Sequence, residues 1–160
     1  MASLDAMAWL AQNMRKFERA VNAGCDEMEE IMPHVIVEYS ANIEADLSPD
    51  RLVDEIHQAA ITSGIAEPVA VRTRLKRREH YRVGDGSPEN AFVHIDVRGR
   101  KGRTPEQKKA MVQTIYDQAN KTLDHVFKAR PLALTVEFHE IDSDTRLLRN
   151  GMRERNASAA

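Results

Sequence analysis

The sequence predicts an α+β fold: a duplicated β-α-β unit forming a four-stranded sheet with two helices on one face, preceded by an N-terminal helical extension. Three observations predict it. Strand-like alternation recurs four times, at Val35-Val37-Tyr39, Val69-Val71-Thr73-Leu75, Ala91-Val93-Ile95-Val97 and Leu132-Leu134-Val136-Phe138. Two similar helix starts, Ser48-Pro49-Asp50 and Thr104-Pro105-Glu106, each follow a strand and a loop. The region before Pro33 has helical spacing instead, with Leu4, Met7, Ala8, Leu10, Ala11, Met14, Phe17 and Val21 on one stripe.

The elements follow in order. The extension covers 1–32, and Ala23-Gly24 reads as a helix stop before the acidic stretch Asp26 to Ile31. The main domain covers 33–145. Its first strand begins at Pro33. Ser48 can cap the next helix, Pro49 is preorganised for its first position, and Asp50 suits the positive end of the dipole. Leu52, Val53, Ile56, Ala59 and Ala60 give that helix its buried face, and Gly64 can end it in a left-handed conformation. The second strand runs over Val69 to Leu75, alternating with Arg72, Arg74 and Lys76. The turn formers from Val83 to Asn90 close the connection between the halves. Thr104-Pro105-Glu106-Gln107 is a capping box, and Met111, Val112, Ile115, Ala119, Leu123 and Val126 line one continuous helix. Residues 146–160 are a C-terminal tail, polar and frayed from Asn150 onward. One helix layer covers one sheet face, and the other face is expected to carry many apolar side chains and to pack against other subunits.

Composition excludes several function classes. In 160 residues the formal net charge is −2, so no global field draws in nucleic acid or an anionic membrane. The basic run Arg72, Arg74, Lys76, Arg77, Arg78 has only Tyr81 beside it, without a stacking set for RNA. No apolar run is long enough to span a bilayer. A single cysteine, Cys25, forbids an intrachain disulfide and fits a reducing, cytoplasmic setting. His34, His57, His80, His94, His125 and His139 show no metal-ligand spacing, and His94 and His139 read as hydrogen-bonded strand residues. No nucleophile elbow is present.

The most informative stretch is Met32-Pro33-His34-Val35-Ile36-Val37-Glu38. Standing alone, a proline opening a strand is an edge-strand proline whose missing N–H is harmless. Together with the duplication, Ala91-Phe92-Val93-His94, Arg72 and Arg103, it resembles the 5-carboxymethyl-2-hydroxymuconate delta-isomerase family of the tautomerase superfamily. The likeness runs from Met32 to about Ile141. With the family's opening proline on Pro33, both arginines fall on family arginines without a gap.

The resemblance implies a homotrimer without metal or organic cofactor, ketonising a carboxylated 2-hydroxymuconate-type dienol in homoprotocatechuate breakdown. It implies Pro33 as the catalytic acid/base, acting through a free secondary amine, and Arg72 and Arg103 as substrate-binding residues. Arg74, Lys76, Arg77 and Arg78 read as solvated charges. The chain departs from the family in carrying residues 1–32 ahead of Pro33, where the amide nitrogen has no basicity. Three readings of that extension stand. Met32 is the true start, which purine-rich codons for Glu29-Glu30 would fit as a ribosome-binding sequence. Or the extension is removed after translation. Or it is retained, and the protein is a non-catalytic trimeric scaffold or small-molecule binder.

Overall fold

The structure is a computed structural model that describes residues 33–64, 66–142 and 144–158. The expected N-terminal helix lies outside the described residues. Four strands are present: β1 (His34–Ser40), β2 (Arg72–Arg78), β3 (Ala91–Arg100) and β4 (Leu132–Ile141). The helices are α1 (Pro49–Thr62), α2 (Pro105–Thr122), α3 (Asp124–Ala129) and α4 (Gly151–Ser158). The sheet order is β2-β1-β3-β4. Each β-α-β half pairs its own two strands in parallel, and the halves meet through an antiparallel β1–β3 pair.

The helix boundaries follow their local chemistry. Thr104 accepts from the Gln107 N–H at 3.2 Å, and Gln107 accepts from the Thr104 N–H at 3.0 Å, completing the capping box. Ser48 makes no side-chain cap bond, so α1 starts on Pro49 and Asp50 alone. Gly64 follows α1 with φ of 69°, a left-handed conformation that glycine adopts without steric cost. The long second helix expected from the sequence breaks at Leu123, whose ψ of 4° separates α2 from the short α3. The second strand starts later than its alternation indicates, because Pro68–Ala70 forms a 3₁₀ turn first. In the β2–β3 connection, Gly84 and Gly86 both have positive φ, and Asn90 ties the loop by donating to the Val83 carbonyl and to Asp85.

Period two sorts the side chains. Val35, Val37, Tyr39, Ala91, Val93, Ile95 and Val97 face the helices and are buried. They meet Leu52, Ile56, Ala59 and Ala60 of α1, and Met111, Ile115 and Ala119 of α2. The helices touch each other through Glu55, which accepts from Gln118 at 2.9 Å and from the Thr122 hydroxyl. His57 of α1 pairs its ring nitrogen with the Thr73 hydroxyl at 2.9 Å.

The other sheet face corrects the expectation of an apolar surface. Its cross-strand rows read Arg72–His34–Arg98–His139, Arg74–Ile36–Asp96–Glu137, Lys76–Glu38–His94–Thr135 and Arg78–Ser40–Phe92–Ala133. Apolar groups are a minority there, because the alternation that directs valines to the helices leaves charged residues at the intervening positions. The C-terminal tail is also corrected: Asn150 is buried and opens the helix α4.

The core assignment has a direct test. Ile95→Ala removes a fully buried side chain of the central strand pair and should lower unfolding stability by about 2–5 kcal/mol. Denaturant titration checks this, and a loss below ~1 kcal/mol would place Ile95 outside the close-packed core.

Candidate active site

The topology gathers one end of the sheet around Pro33. The β1 strand begins where β3 ends, since His34 pairs with Arg98, and where β2 begins, since His34 pairs with Arg72. Pro33 is buried, and its carbonyl accepts the Arg72 N–H at 3.1 Å. Backbone pairing therefore places Arg72 beside Pro33. Arg72 shares the outer sheet face with His34 and is half-buried.

Arg103 reaches the same end from the other face. It follows β3 after Gly102, whose φ is +100°. Its guanidinium Nη1 donates to the Arg100 carbonyl at 3.0 Å, and its carbon centre lies 5.8 Å from the Phe138 ring centroid. Both groups fold over Gly99. A Cβ there would stand 2.6 Å from Phe138 Cζ and 3.0 Å from Arg103 Nη1, so a larger residue would have to displace the ring and the guanidinium from this arrangement. Gly99 continues the helix-facing series of Ile95 and Val97, so Arg103 covers the helix side while Arg72 projects on the outer side. Nε and Nη2 of Arg103 are buried without a hydrogen-bond partner among the described residues. Burial, reinforced by the Arg100 charge, lowers its pKa. A guanidinium with two unmet donors is suited to receive a carboxylate.

Sequence reasoning missed the crowding at His34. Arg74 Nη1 lies 3.4 Å from His34 Nδ1. Burial first, then the charges of Arg74, Arg72, Arg146 and Arg98, push the imidazole pKa below its ordinary 6.5. Arg146 comes from the segment read as tail, so nothing in local spacing signals it. Gly99 does carry a signal, a glycine inside a strand pattern, that could have marked the close approach. The remaining basic residues fit the solvated reading. Arg78 forms a two-pronged pair with Glu38, and Arg77 lies near Glu44 and Glu79. His94 and His139 each meet Glu137 Oε1, at 2.9 and 3.0 Å, as hydrogen-bonded strand residues should.

Other features lie apart from this end. A cavity of about 620 Å³ between α1 and α2 is lined by Asp54, Glu55, Gln58, Asp117 and Lys121 among others, and shares no residue with the Pro33 end. Among the described residues, no group of three or more His, Cys, Asp or Glu side chains is placed to hold a metal ion. No described helix is long and apolar enough to cross a membrane.

The family model described as 5-carboxymethyl-2-hydroxymuconate isomerase matches residues 33–156. The chain belongs to this isomerase family. The match begins on Pro33 and includes the C-terminal segment into α4, beyond the Ile141 limit read from the sequence. A 5-carboxymethyl-2-hydroxymuconate Delta-isomerase from Escherichia coli is 26% identical over 110 residues, covering 69% of this chain and 87% of that protein. A crystal structure of a 5-carboxymethyl-2-hydroxymuconate isomerase from Deinococcus radiodurans R1 superposes with a TM-score of 0.73 at 25% identity, covering 79% of this chain and 96% of the other. A fused 4-OT, described as a wild-type asymmetric trimer, shares the tautomerase-type fold with a TM-score of 0.57 at 19% identity, covering 73% of this chain and 93% of the other.

The His34 environment predicts a pH effect. A folded pKa below the unfolded value means the folded state binds fewer protons between the two. The contribution is therefore complete above pH 6.5 and is lost as pH falls through 6.5 toward the folded pKa. Thermal midpoints should drop on acidification below 6.5, and His34→Asn should flatten part of that drop. An unchanged acid slope in the variant would remove His34 as its source.

Proposed function

We propose that the protein is a cofactor-independent tautomerase that ketonises a carboxylated 2-hydroxymuconate-type dienol, as in homoprotocatechuate breakdown, once Pro33 is a free N-terminus. The observation that carries this reading is the start of the family match on Pro33, whose backbone is bonded to Arg72. Support also comes from the names of the Escherichia coli and Deinococcus radiodurans relatives.

The chemistry needs one group that removes a hydroxyl proton and returns a proton at carbon. A free Pro33 nitrogen has a lone pair for this. It takes the enol proton, the oxygen electrons form the carbonyl, the double bond shifts, and the terminal carbon takes the proton back from the ammonium. Nothing is oxidised or reduced. A free secondary amine is ordinarily too basic to be unprotonated at neutral pH. In the Pro33-start form a nearby guanidinium such as that of Arg72, whose N–H bonds the Pro33 carbonyl, would disfavour the cationic amine and lower its pKa. Arg72 and Arg103 bind substrate carboxylates, and the one nearer the oxygen offsets the charge that builds there.

The assembly we infer is a homotrimer of duplicated subunits. Its support is the trimeric description of the fused 4-OT, together with the C-terminal segment, where Leu147 is fully exposed and Leu148 and Met152 are also exposed. Such apolar groups favour burial against another copy. Sedimentation should give three times the chain mass, and a stable monomer at micromolar concentration would sink the trimer.

The catalytic reading is tested on two forms with verified intact masses, one starting at Met1 and one at Pro33. The Pro33 form should turn over the dienol, and the Met1 form should not, because an amide nitrogen cannot accept the proton. Equal turnover would remove Pro33 from the mechanism. Inactivity of both forms would favour the non-catalytic binder. On the Pro33 form, Arg72→Ala and Arg103→Ala should each lower kcat/KM by roughly one to three orders of magnitude. Arg77→Ala and Arg78→Ala should change it little.

A further inference from the structure

We propose that Arg74, Arg146 and the His34 ring form a second anion subsite beside Arg72, holding an additional carboxylate of a multiply carboxylated substrate. This inference rests on the isomerase reading for the identity of the ligand, and on the geometry of the Pro33 end for its place.

Several guanidiniums of this chain meet a carboxylate. Arg51 meets Glu55, Arg78 meets Glu38, Arg130 meets Asp46 and Arg149 meets Glu154. Arg98, beside His34, donates Nε to Asp96 Oδ2 at 2.7 Å. Arg74 and Arg146 do not, and neither do Arg82 and Arg103, whose guanidiniums bond main-chain carbonyls. Among the described residues neither Arg74 nor Arg146 has a carboxylate partner. Arg74 turns Nη1 toward His34 Nδ1 at 3.4 Å, and Arg146 Nη1 is buried without a hydrogen-bond partner among the described residues. Both stand close enough to His34 to oppose its protonation.

Chemically, a guanidinium facing Nδ1 can only donate, so that nitrogen serves as the acceptor and the ring proton sits on Nε2. The neutral imidazole is thus a spacer between like charges, and it leaves the charge of Arg74 and Arg146 uncompensated. Like charges collected at one point favour an anion whose oxygens accept from more than one of them. The position is specific. His34 follows Pro33 directly, and its ring lies in the cross-strand row of Arg72 and Arg98. A carboxylate held there would belong to the same molecule that engages Arg72. A substrate with fewer carboxylates would leave the subsite unused, so the subsite selects by carboxylate number.

Anion binding also couples to protons. Among the described residues the charged groups facing His34 are Arg72 and Arg74 of β2, Arg98 of β3 and Arg146 after β4, with Asp96 engaged by Arg98 and His139 of β4 at the far end of the same row. A bound carboxylate offsets these cations and favours the imidazolium, so binding should take up a proton and tighten as pH falls toward 6.

The test is calorimetric titration of the full chain with propane-1,2,3-tricarboxylate and with glutarate, at fixed ionic strength, for wild type, Arg74→Gln, Arg146→Gln, His34→Gln and Arg78→Gln. Wild type should prefer the tricarboxylate about tenfold or more, as one added charge-assisted contact would give. Arg74→Gln and Arg146→Gln should bring the two acids within about threefold by the same reckoning. Arg78→Gln should keep the preference. The tightening from pH 7.5 to 6 should vanish in His34→Gln. No preference in wild type, or a loss in Arg78→Gln equal to that in Arg74→Gln, would overturn the subsite. An inactive Pro33-start protein whose preference still depends on Arg74 and Arg146 would sink the isomerase reading and support the subsite. An active one whose preference ignores them would do the reverse.

Discussion

The structure depends on the antiparallel pairing of β1 with β3. It is the seam between two halves that each pair their own strands in parallel. Its helix-facing residues, Val35, Val37, Val93, Ile95 and Val97, are all essentially excluded from water. Close packing at that density ties the register to the core, because a slip by one residue would expose every valine and bury every charge. The same register aligns the start of β1 with the end of β3. Pro33 and the Gly99–Arg103 stretch therefore become neighbours through hydrophobic burial elsewhere in the sheet.

Much of this was legible in the sequence because local physics carried it. Strand alternation, the proline-led helix starts and the capping box at Thr104 are short-range signals that the structure repeats. Where competing local preferences existed, the reading failed. Ser48 is a good capping residue, yet α1 begins without its side-chain bond. Pro68 diverted the chain into a 3₁₀ turn ahead of β2, and the helical stripe from Met111 to Val126 concealed a break at Leu123.

The site was legible in part. The sequence draws attention to Pro33 and Arg72, and the structure shows a backbone hydrogen bond between them without showing what either does. Spacing alone groups Arg74 with the solvated charges, because it cannot distinguish Arg74 from Arg78. The distinction is made by partners that come from elsewhere: Glu38 for Arg78, and a histidine with no acid for Arg74. Arg146 could not be read at all, since its place near His34 depends on how the chain returns after β4. The charged outer face has the same origin, because its rows bring together residues that are far apart in sequence.

The bond from the Arg72 N–H to the Pro33 carbonyl has a consequence for chain maturation. A proline nitrogen within a chain has no hydrogen to contribute to a sheet. Severing the peptide ahead of Pro33 would leave this acceptor, and with it the first rung between β1 and β2, in place. That rung therefore does not depend on whether the Pro33 nitrogen is an amide or an amine. A break at that single peptide bond would leave the Arg72–Pro33 rung itself with both its donor and its acceptor.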